Sequence, residues 1–456
     1  MKIAVIVNNQ IESDSRVRKQ SSSLKKNGFD ITIYGYGGEK DKTLEIDGCK
    51  TYIFKNIFFI TPYFLKLFKK LKFFLRKHKR KKNNNNYKEI LFYVNPFFIK
   101  FIKLNFIEKL RYFFNQFGLR FTYLYKKYIG VFYLYLIVSN YMFNKIKNDQ
   151  YQVIHAHDIV GLIVGLKYKN FYPQTKLIWD AHEIYTRLNY KSFFDKIMLD
   201  LLIKINSKNI DKFITVNASI ATFYINKYRD LPKADIVMNA VMKSSKSDIN
   251  QNLLKKTANI SERKKIILFQ GSLSWGRGIE KMLESLNYLN DDWTMVFMGS
   301  GPLENLIKNK INRLNRNNSK YNSQKKVILL PPVPFEELAK WTKGANLGAI
   351  FYRNNSLNQY YCTPNKIWEY SQAEVPIICF DLFEMSNIVR KNQLGFVINE
   401  CSNGKEIAEF INKIKIEDLN SIKKRCIEFS AKNDWKVYEN VLIDIYRLLN
   451  LSIGNN

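Results

Sequence analysis

The stretch T-P-N-K-I-W-E-Y-S-Q-A-E-V-P, residues 363–376, reads as a polar turn, a short helix carrying one acid, and a proline beside an apolar run. Pro364 suits the opening of a helix, where its missing N–H costs nothing. Lys366 has the reach to meet a phosphate, and Glu369 lies about one helical turn along. Pro376 falls within the strand-like run Val375–Cys379. A buried carboxylate at 369 suits two hydroxyls of a ribose, as acids do in dinucleotide-binding folds. The competing reading is an ordinary acid on a surface helix, and spacing alone leaves the two level.

Outward from this stretch the chain alternates strands and helices. In the second half, strands are expected at Ile266–Phe269, Thr294–Met298, Val327–Leu330 and Leu347–Ile350. A glycine-containing loop, Gly271–Gly278, precedes a helix expected at Ile279–Leu289. In the first half, the run Ile3–Val7, a helix over Asp14–Lys26 stopped at Gly28, and a strand over Phe29–Tyr34 make a βαβ unit. The rhythm resumes at Val153–His155, Lys176–Trp179, Lys212–Val216 and Asp235–Met238. Such alternation predicts parallel sheets in an α/β fold, with ligands at the carboxyl ends of the strands. A polar Lys/Asn/Ser-rich segment, Lys243 to Lys264, is read as the linker and its flanks.

A chain of 456 residues is too long for one core, so two domains are expected. Residues 1–243 are assigned to an N-terminal domain, 244–433 to a C-terminal one, and 434–456 to a final helix. Five scattered cysteines without a C-x-x-C exclude a disulfide framework and suit a reducing cytosol. No run of about 20 residues is apolar enough to span a bilayer. The formal net charge is +33, which favours polyanionic partners, nucleic acid or an anionic membrane.

That charge is concentrated. An insertion at about 55–145, off the βαβ rhythm, holds 20 Lys and Arg against Glu89 and Glu108, and is crowded with Phe and Tyr. Within 63–82, Phe64, Leu65, Phe68, Leu71 and Leu75 fall at helical spacing, with Lys66, Lys69, Lys70, Lys72, Arg76 and Lys77 between them. This is the pattern of a basic amphipathic helix on an anionic membrane. A helical hairpin packed by its aromatics, with a solvated basic face, is the bland alternative. The aromatic run Tyr128–Phe143 is read as the helix preceding strand Val153–His155, with a membrane-interfacial role as the alternative.

Three histidines sit where strands end: His155 and His157 in V-I-H-A-H-D and His182 in W-D-A-H-E. With Asp158, Asp180 and Glu183 nearby, a zinc site has to be weighed, since catalytic zinc takes three such ligands. No fourth ligand on a strand is evident, and no metal is expected. Polar residues at strand ends are more often functional than structural. In F-Q-G-S-L-S-W-G-R-G-I-E, residues 269–280, a glycine loop opens a helix, where backbone N–H groups and Arg277 favour an anion. Glycine loops recur in any tight βα turn, and M-G-S-G-P at 298–302 is read as structural.

Taken together, D-S-R-V (14–17), H-A-H-D (155–158), D-A-H-E (180–183), G-S-L-S-W-G-R-G (271–278), M-G-S-G-P (298–302) and P-N-K-I-W-E-Y (364–370) resemble GT-B-fold glycosyltransferases. The likeness is to the retaining family 4, group 1 class, in a P-N-K-x-x-E-Y variant, and spans nearly the whole chain except the insertion. It implies two Rossmann-like domains facing across a cleft. It places His182, with Glu183, His157 and Asp158, among the catalytic residues. Gly271, Ser272, Arg277, Gly278, Asn365, Lys366, Glu369 and Tyr361 fall at donor-binding positions. Asp14, Arg16, Arg18 and His155 fall on the acceptor side. The last helix, from about Asp434 to Leu449, resembles one that crosses back to the N-terminal domain.

The sequence departs from that family at four places. Tyr361 stands where the first acid of an E-x7-E element contacts the donor sugar. Gly271-Ser272 replaces a usual Gly-Arg, Glu374 replaces a usual Gly, and N-N-Q-I-E-S-D-S-R replaces an N-terminal glycine loop.

The expected reaction is sugar transfer from a nucleotide-sugar, UDP- or GDP-linked, to a glycan or lipid-linked acceptor in cell-envelope polysaccharide synthesis. It is expected to need no cofactor and to run at the inner face of the cell membrane. An epimerase of the same fold, a silent paralogue and a nucleic-acid-binding protein are the competing readings. The last leaves the strand-end motifs without a task, so no nucleic-acid partner is expected.

Overall fold

The computed structural model describes residues 1–12, 14–57, 131–189, 191–242, 253–317 and 326–454. The expected amphipathic helix at 63–82, with its six named basic residues, lies outside the described residues, as does most of the insertion. The chain divides into two compact units, Met1–Leu177 with Tyr190–Leu202, and Ile178–Asn189 with Ile203–Asn456.

The first unit holds β1 (Lys2–Ile6), α1 (Ser15–Lys26), β2 (Asp30–Gly38), β3 (Lys42–Ile46), β4 (Cys49–Lys55), α2 (Phe132–Ile146), β5 (Val153–His157) and α3 (Asp158–Phe171). Its strands lie in the order β3-β4-β2-β1-β5. They are parallel except β3, which returns antiparallel to β4 at the edge. The reading of the sequence did not contain this edge pair. Asp14 starts α1 by accepting from the backbone N–H groups of Arg16 and Val17, the ordinary service of an N-cap aspartate. Gly28 follows the helix at φ +85°, so the expected stop is in place. The helix expected before β5 is α2, which buries Val138, Ser139, Met142 and Ile146.

Next along the chain come β6 (Lys176–Ala181), α4 (Phe193–Asn206), β7 (Lys212–Thr215), α5 (Ala218–Lys227) and β8 (Ala234–Ile236). β7 pairs parallel with both β6 and β8.

The second sheet is built from α6 (Leu253–Ala258), β9 (Lys265–Gln270), α7 (Ile279–Ser285), β10 (Trp293–Met298), α8 (Glu304–Asn317), β11 (Val327–Leu330), α9 (Leu338–Thr342), β12 (Leu347–Ile350), α10 (Leu357–Tyr360), α11 (Lys366–Gln372), β13 (Ile377–Phe380), α12 (Phe383–Lys391) and β14 (Gly395–Ile398). α13 (Gly404–Asn412), α14 (Ile416–Lys432) and α15 (Trp435–Gly454) complete the chain. The order is β11-β10-β9-β12-β13-β14, with every pair parallel.

Alternate residues of β9 serve opposite cores. Ile266 and Leu268 join one cluster with Ile367 and Tyr370 of α11. Ile267 and Phe269 join the other with Met282 of α7. This is the period-2 burial of a strand covered on both faces. The order reverses between β9 and β12, and the crevice at such a switch point is where doubly wound sheets take ligands. Part of the segment read as linker is structured, since Leu254 and Ala258 of α6 are buried in the first of these cores. The expected helix at Ile279–Leu289 stops at Ser285.

Candidate active site

β9 delivers Gln270 to the switch point. Its side-chain amide donates to the Glu369 carboxylate at 2.7 Å, and its amide oxygen accepts from the Thr342 hydroxyl at 2.7 Å. Gln270 is buried and Glu369 half-buried. The acid of α11 therefore faces the carboxyl end of β9, not open solvent. Tyr370, the next residue, anchors the helix by donating to the Leu268 carbonyl at 2.9 Å. Its ring occupies the space over Gly348, where a Cβ would stand 2.5 Å from it. Asn365 starts α11 with its backbone, its carbonyl accepting from the N–H groups of Trp368 and Glu369 at 3.0 Å.

Two cations meet on one aromatic ring. The Arg277 guanidinium lies 4.2 Å from the centroid of Tyr352, just past the end of β12. Lys366 lies 5.5 Å from the same centroid and donates to the Tyr352 hydroxyl at 3.3 Å. The Lys366 ammonium also stands over Gly271, 3.4 Å from where a Cβ would sit. A ring face attracts a cation through its quadrupole, but two like charges on one ring remain mutually unfavourable unless an anion joins them. The arrangement is thus suited to an anion shared by the two cations.

The loop that carries Arg277 is braced by the second glycine turn. Gly271 donates to the Met298 carbonyl and Leu273 to the Ser300 carbonyl, each at 2.9 Å. At Gly278, with φ +77°, a Cβ would stand 2.0 Å from the Phe351 carbonyl oxygen, so no side chain fits. Ser272 is exposed on this loop, as is Trp275 at 67%.

The D-A-H-E segment follows β6. His182 meets Tyr185 edge-to-face at 6.2 Å. The Tyr224 hydroxyl donates to the Glu183 carbonyl at 2.8 Å and accepts from the Tyr185 N–H at 3.1 Å. Asn358 of α10 accepts from the Ile184 N–H at 2.7 Å. Asn217, the N-cap of α5, donates to the Tyr361 carbonyl at 2.8 Å and the Thr363 hydroxyl at 2.7 Å. These two asparagines tie the D-A-H-E segment and α5 to the chain entering α11. The sequence reading named neither, although an Asn between β7 and the run A-S-I-A is an N-cap signature. The charges of Arg277, Glu183 and Lys366 all act on the Cys362 thiol, whose pKa burial pushes up to about 12. One neighbourhood therefore holds a candidate catalytic acid and both candidate phosphate cations.

Tyr361 stands where the resemblance calls for an acid. Its ring meets Phe383 edge-to-face at 5.8 Å and tilts against Tyr360 at 5.1 Å. With Phe223, Ser219, Thr222 and Lys227 it lines an open pocket of about 520 Å³. The wall at this position is aromatic.

In the first unit, His155 and His157 lie on one face of β5, their rings stacked at 4.4 Å, and both are fully buried. Asp158 opens α3 at φ +60°, a left-handed conformation that Asp adopts more readily than most residues. Asp14 also accepts from the Asn9 amide at 2.7 Å, so both of its oxygens serve the local backbone and loop. Arg18 makes a two-point contact with Asp47, at 2.8 and 3.1 Å, and Arg16 is buried.

Residues 250–433 match the family model of glycosyl transferases group 1. A comparison with curated protein sequences gives no match. Among solved structures, sucrose-phosphate synthase from Thermosynechococcus elongatus is similar at a TM-score of 0.63 and 14% identity, over 99% of this chain and 100% of that one. The α,α-trehalose 6-phosphate synthase of Burkholderia multivorans is similar at 0.63 and 10%, over 99% and 97%. Anabaena HepE in complex with UDP and glucose is similar at 0.61 and 11%, over 98% and 99%. The group 1 glycosyltransferase match over residues 250–433 and the GT-B fold of the two parallel-stranded α/β sheets together support a glycosyltransferase.

Proposed function

We propose that this glycosyltransferase moves a sugar from a UDP- or GDP-linked donor onto a glycan or lipid-linked acceptor, with retention of configuration. The observation that carries the reading is the pairing of Arg277 and Lys366 on Tyr352, beside a Glu369 held by Gln270. As the glycosidic bond breaks, negative charge gathers on the leaving diphosphate. Cations already placed stabilise that charge without reorganising. Two side-chain cations and the backbone of a glycine loop supply this without a metal ion. Glu369 stands where a ribose would offer paired hydroxyls. That HepE is solved with UDP and glucose supports a nucleotide-sugar donor.

The aromatic pocket beside Tyr361 suits the apolar face of a pyranose ring, with Ser219 and Thr222 available to hydroxyls. His182 would lie beside the sugar being moved. The basic, aromatic composition of residues 55–145 supports work at the inner face of a membrane, on a cell-envelope polysaccharide or its lipid-linked precursor. The test is transfer from a panel of labelled UDP-, GDP-, dTDP- and CMP-sugars into native membrane extract, beside a Glu369→Ala control. Label entering lipid or polysaccharide from one donor, and lost in the control, is expected. Donor turnover without any acceptor would indicate an epimerase or hydrolase instead. No turnover at all would indicate a silent relative.

A further inference from the structure

Helix α4 carries its apolar residues on both faces. Leu199 and Ile203 are turned inward, each 0% exposed. Phe193, Phe194, Ile197 and Leu201 are turned outward at 80, 45, 38 and 45%. Phe193, Ile197 and Leu201 recur every four residues, which makes one continuous stripe on the helix surface. Isolated exposed apolar residues need no explanation, but a stripe of large ones marks an interaction surface.

The start of α4 is also bonded to the point where the described chain resumes, at residues 131 and 132. Asp195 accepts from the Phe132 N–H at 2.7 Å, which pins the first residue of α2 to the first turn of α4. Lys191 donates to the Tyr135 hydroxyl and lies 4.2 Å from the centroid of that ring. Residues 58–130, with 18 Lys and Arg against two Glu, directly precede Val131 in sequence, one residue before the Phe132–Asp195 hydrogen bond. Tyr133, 52% exposed, lies next to that junction.

We propose that the outward stripe of α4 is a membrane-inserting face, and that its partner is an anionic lipid bilayer. A bilayer answers both observations, because acyl chains accept the aromatic and aliphatic stripe while anionic headgroups attract the basic chain that emerges next to it. A second copy of this protein is the poorer occupant, since docking two chains of +33 each sets like charges together. The proposal rests on the membrane-docked reading above and adds to it an apolar contact, which salt does not screen.

The test compares the wild-type chain with Phe193→Ser/Ile197→Ser/Leu201→Ser on vesicles of phosphatidylglycerol and phosphatidylcholine, at low salt and at high salt. The three changes are on a solvent-facing stripe, so thermal stability is expected to hold. Wild type is expected to keep part of its binding at high salt. The variant is expected to bind at least about tenfold more weakly there.

Equal binding by the two proteins would overturn the proposal. So would a drop in stability, which would mean that the stripe is covered by the chain itself, or a dimer-to-monomer change with lipid binding intact. As a second readout, Ile197→Cys in a Cys401→Ser background carries an environment-sensitive fluorophore. A blue shift on adding vesicles is expected, and no shift counts against insertion. UDP and GDP titration of the same variants keeps the claims separate, because donor binding unchanged by loss of lipid binding leaves the transferase reading standing.

Discussion

The Gln270 amide meets the Glu369 carboxylate at 2.7 Å, and the Thr342 hydroxyl takes the other end of that amide at the same distance. The chain of contacts fixes which way the amide points, and so keeps the acid turned toward the end of β9. A hydrogen bond to a charged group contributes about 1.5–3 kcal/mol. Glu369→Ala should therefore lower kcat/KM by on the order of 10- to 100-fold, chiefly through weaker donor binding. Gln270→Leu leaves the carboxylate present but unheld and should cost less. The measurement is steady-state transfer with the donor identified by the labelling panel. Equal losses in the two variants would mean that Glu369 only braces the fold.

Tyr352 is expected to act as a seat for the two cations. Tyr352→Phe keeps the ring under Arg277 and removes only the oxygen that Lys366 contacts, so activity should fall by no more than about fivefold, in line with one weak hydrogen bond. Tyr352→Ala removes the ring as well and should cost about 100-fold, since the cations lose their positioning along with the contact energy. Donor titration by calorimetry reads both variants. A Phe variant as damaged as the Ala variant would assign the hydroxyl, not the ring, the main role.

Glu374 stands at φ +62° and pairs with Lys343 at 2.7 Å. A non-glycine residue in this region costs about 1–2 kcal/mol. The partly exposed ion pair returns at most about 1 kcal/mol. Glu374→Gly should be close to neutral in thermal unfolding, because relief of strain offsets the lost pair and the freer unfolded chain. Glu374→Val keeps the strain and adds a β-branched side chain, so it should unfold at clearly lower temperature. A Val variant as stable as the Gly variant would show that the strain is absent in solution.

A buried tyrosine cluster sets an alkaline limit. Burial is the main force raising the Tyr34 pKa far above the usual 10, helped by its hydrogen bonds to Tyr151 and Asp149. Burial likewise pushes Tyr36 and Tyr168 to about 12. In the unfolded chain these phenols lose their protons near pH 10. The native state binds more protons than the unfolded one above that point, so stability is full below pH 10 and falls as the pH rises beyond it. Chemical denaturation from pH 8 to 11 reads the fall. Tyr34→Phe should flatten part of it, and an unchanged slope would point to other groups.

Much was legible in the residues because local chemistry decides it. The runs Ile266–Phe269 and Leu347–Ile350, and the helix opened by P-N-K, depend on apolar periodicity and capping within a few residues. Each appears close to where it was expected, with β13 starting after Pro376 instead of before it. The stop of α1 at Gly28 and the N-cap at Asp14 follow from the same short-range rules. What spacing could not decide was the environment of Glu369, because whether an acid on α11 is exposed or held depends on Gln270, 99 residues away. The same holds for Tyr352 beneath Arg277 and Lys366, and for Asn217 reaching Tyr361. It holds also for the outward stripe of α4, because spacing along one helix does not say which of its apolar residues are packed. Those relations join segments remote along the chain. They exist only after sheet order has brought the ends of β9 and β12 side by side, since packing, not propensity, sets which side chains meet.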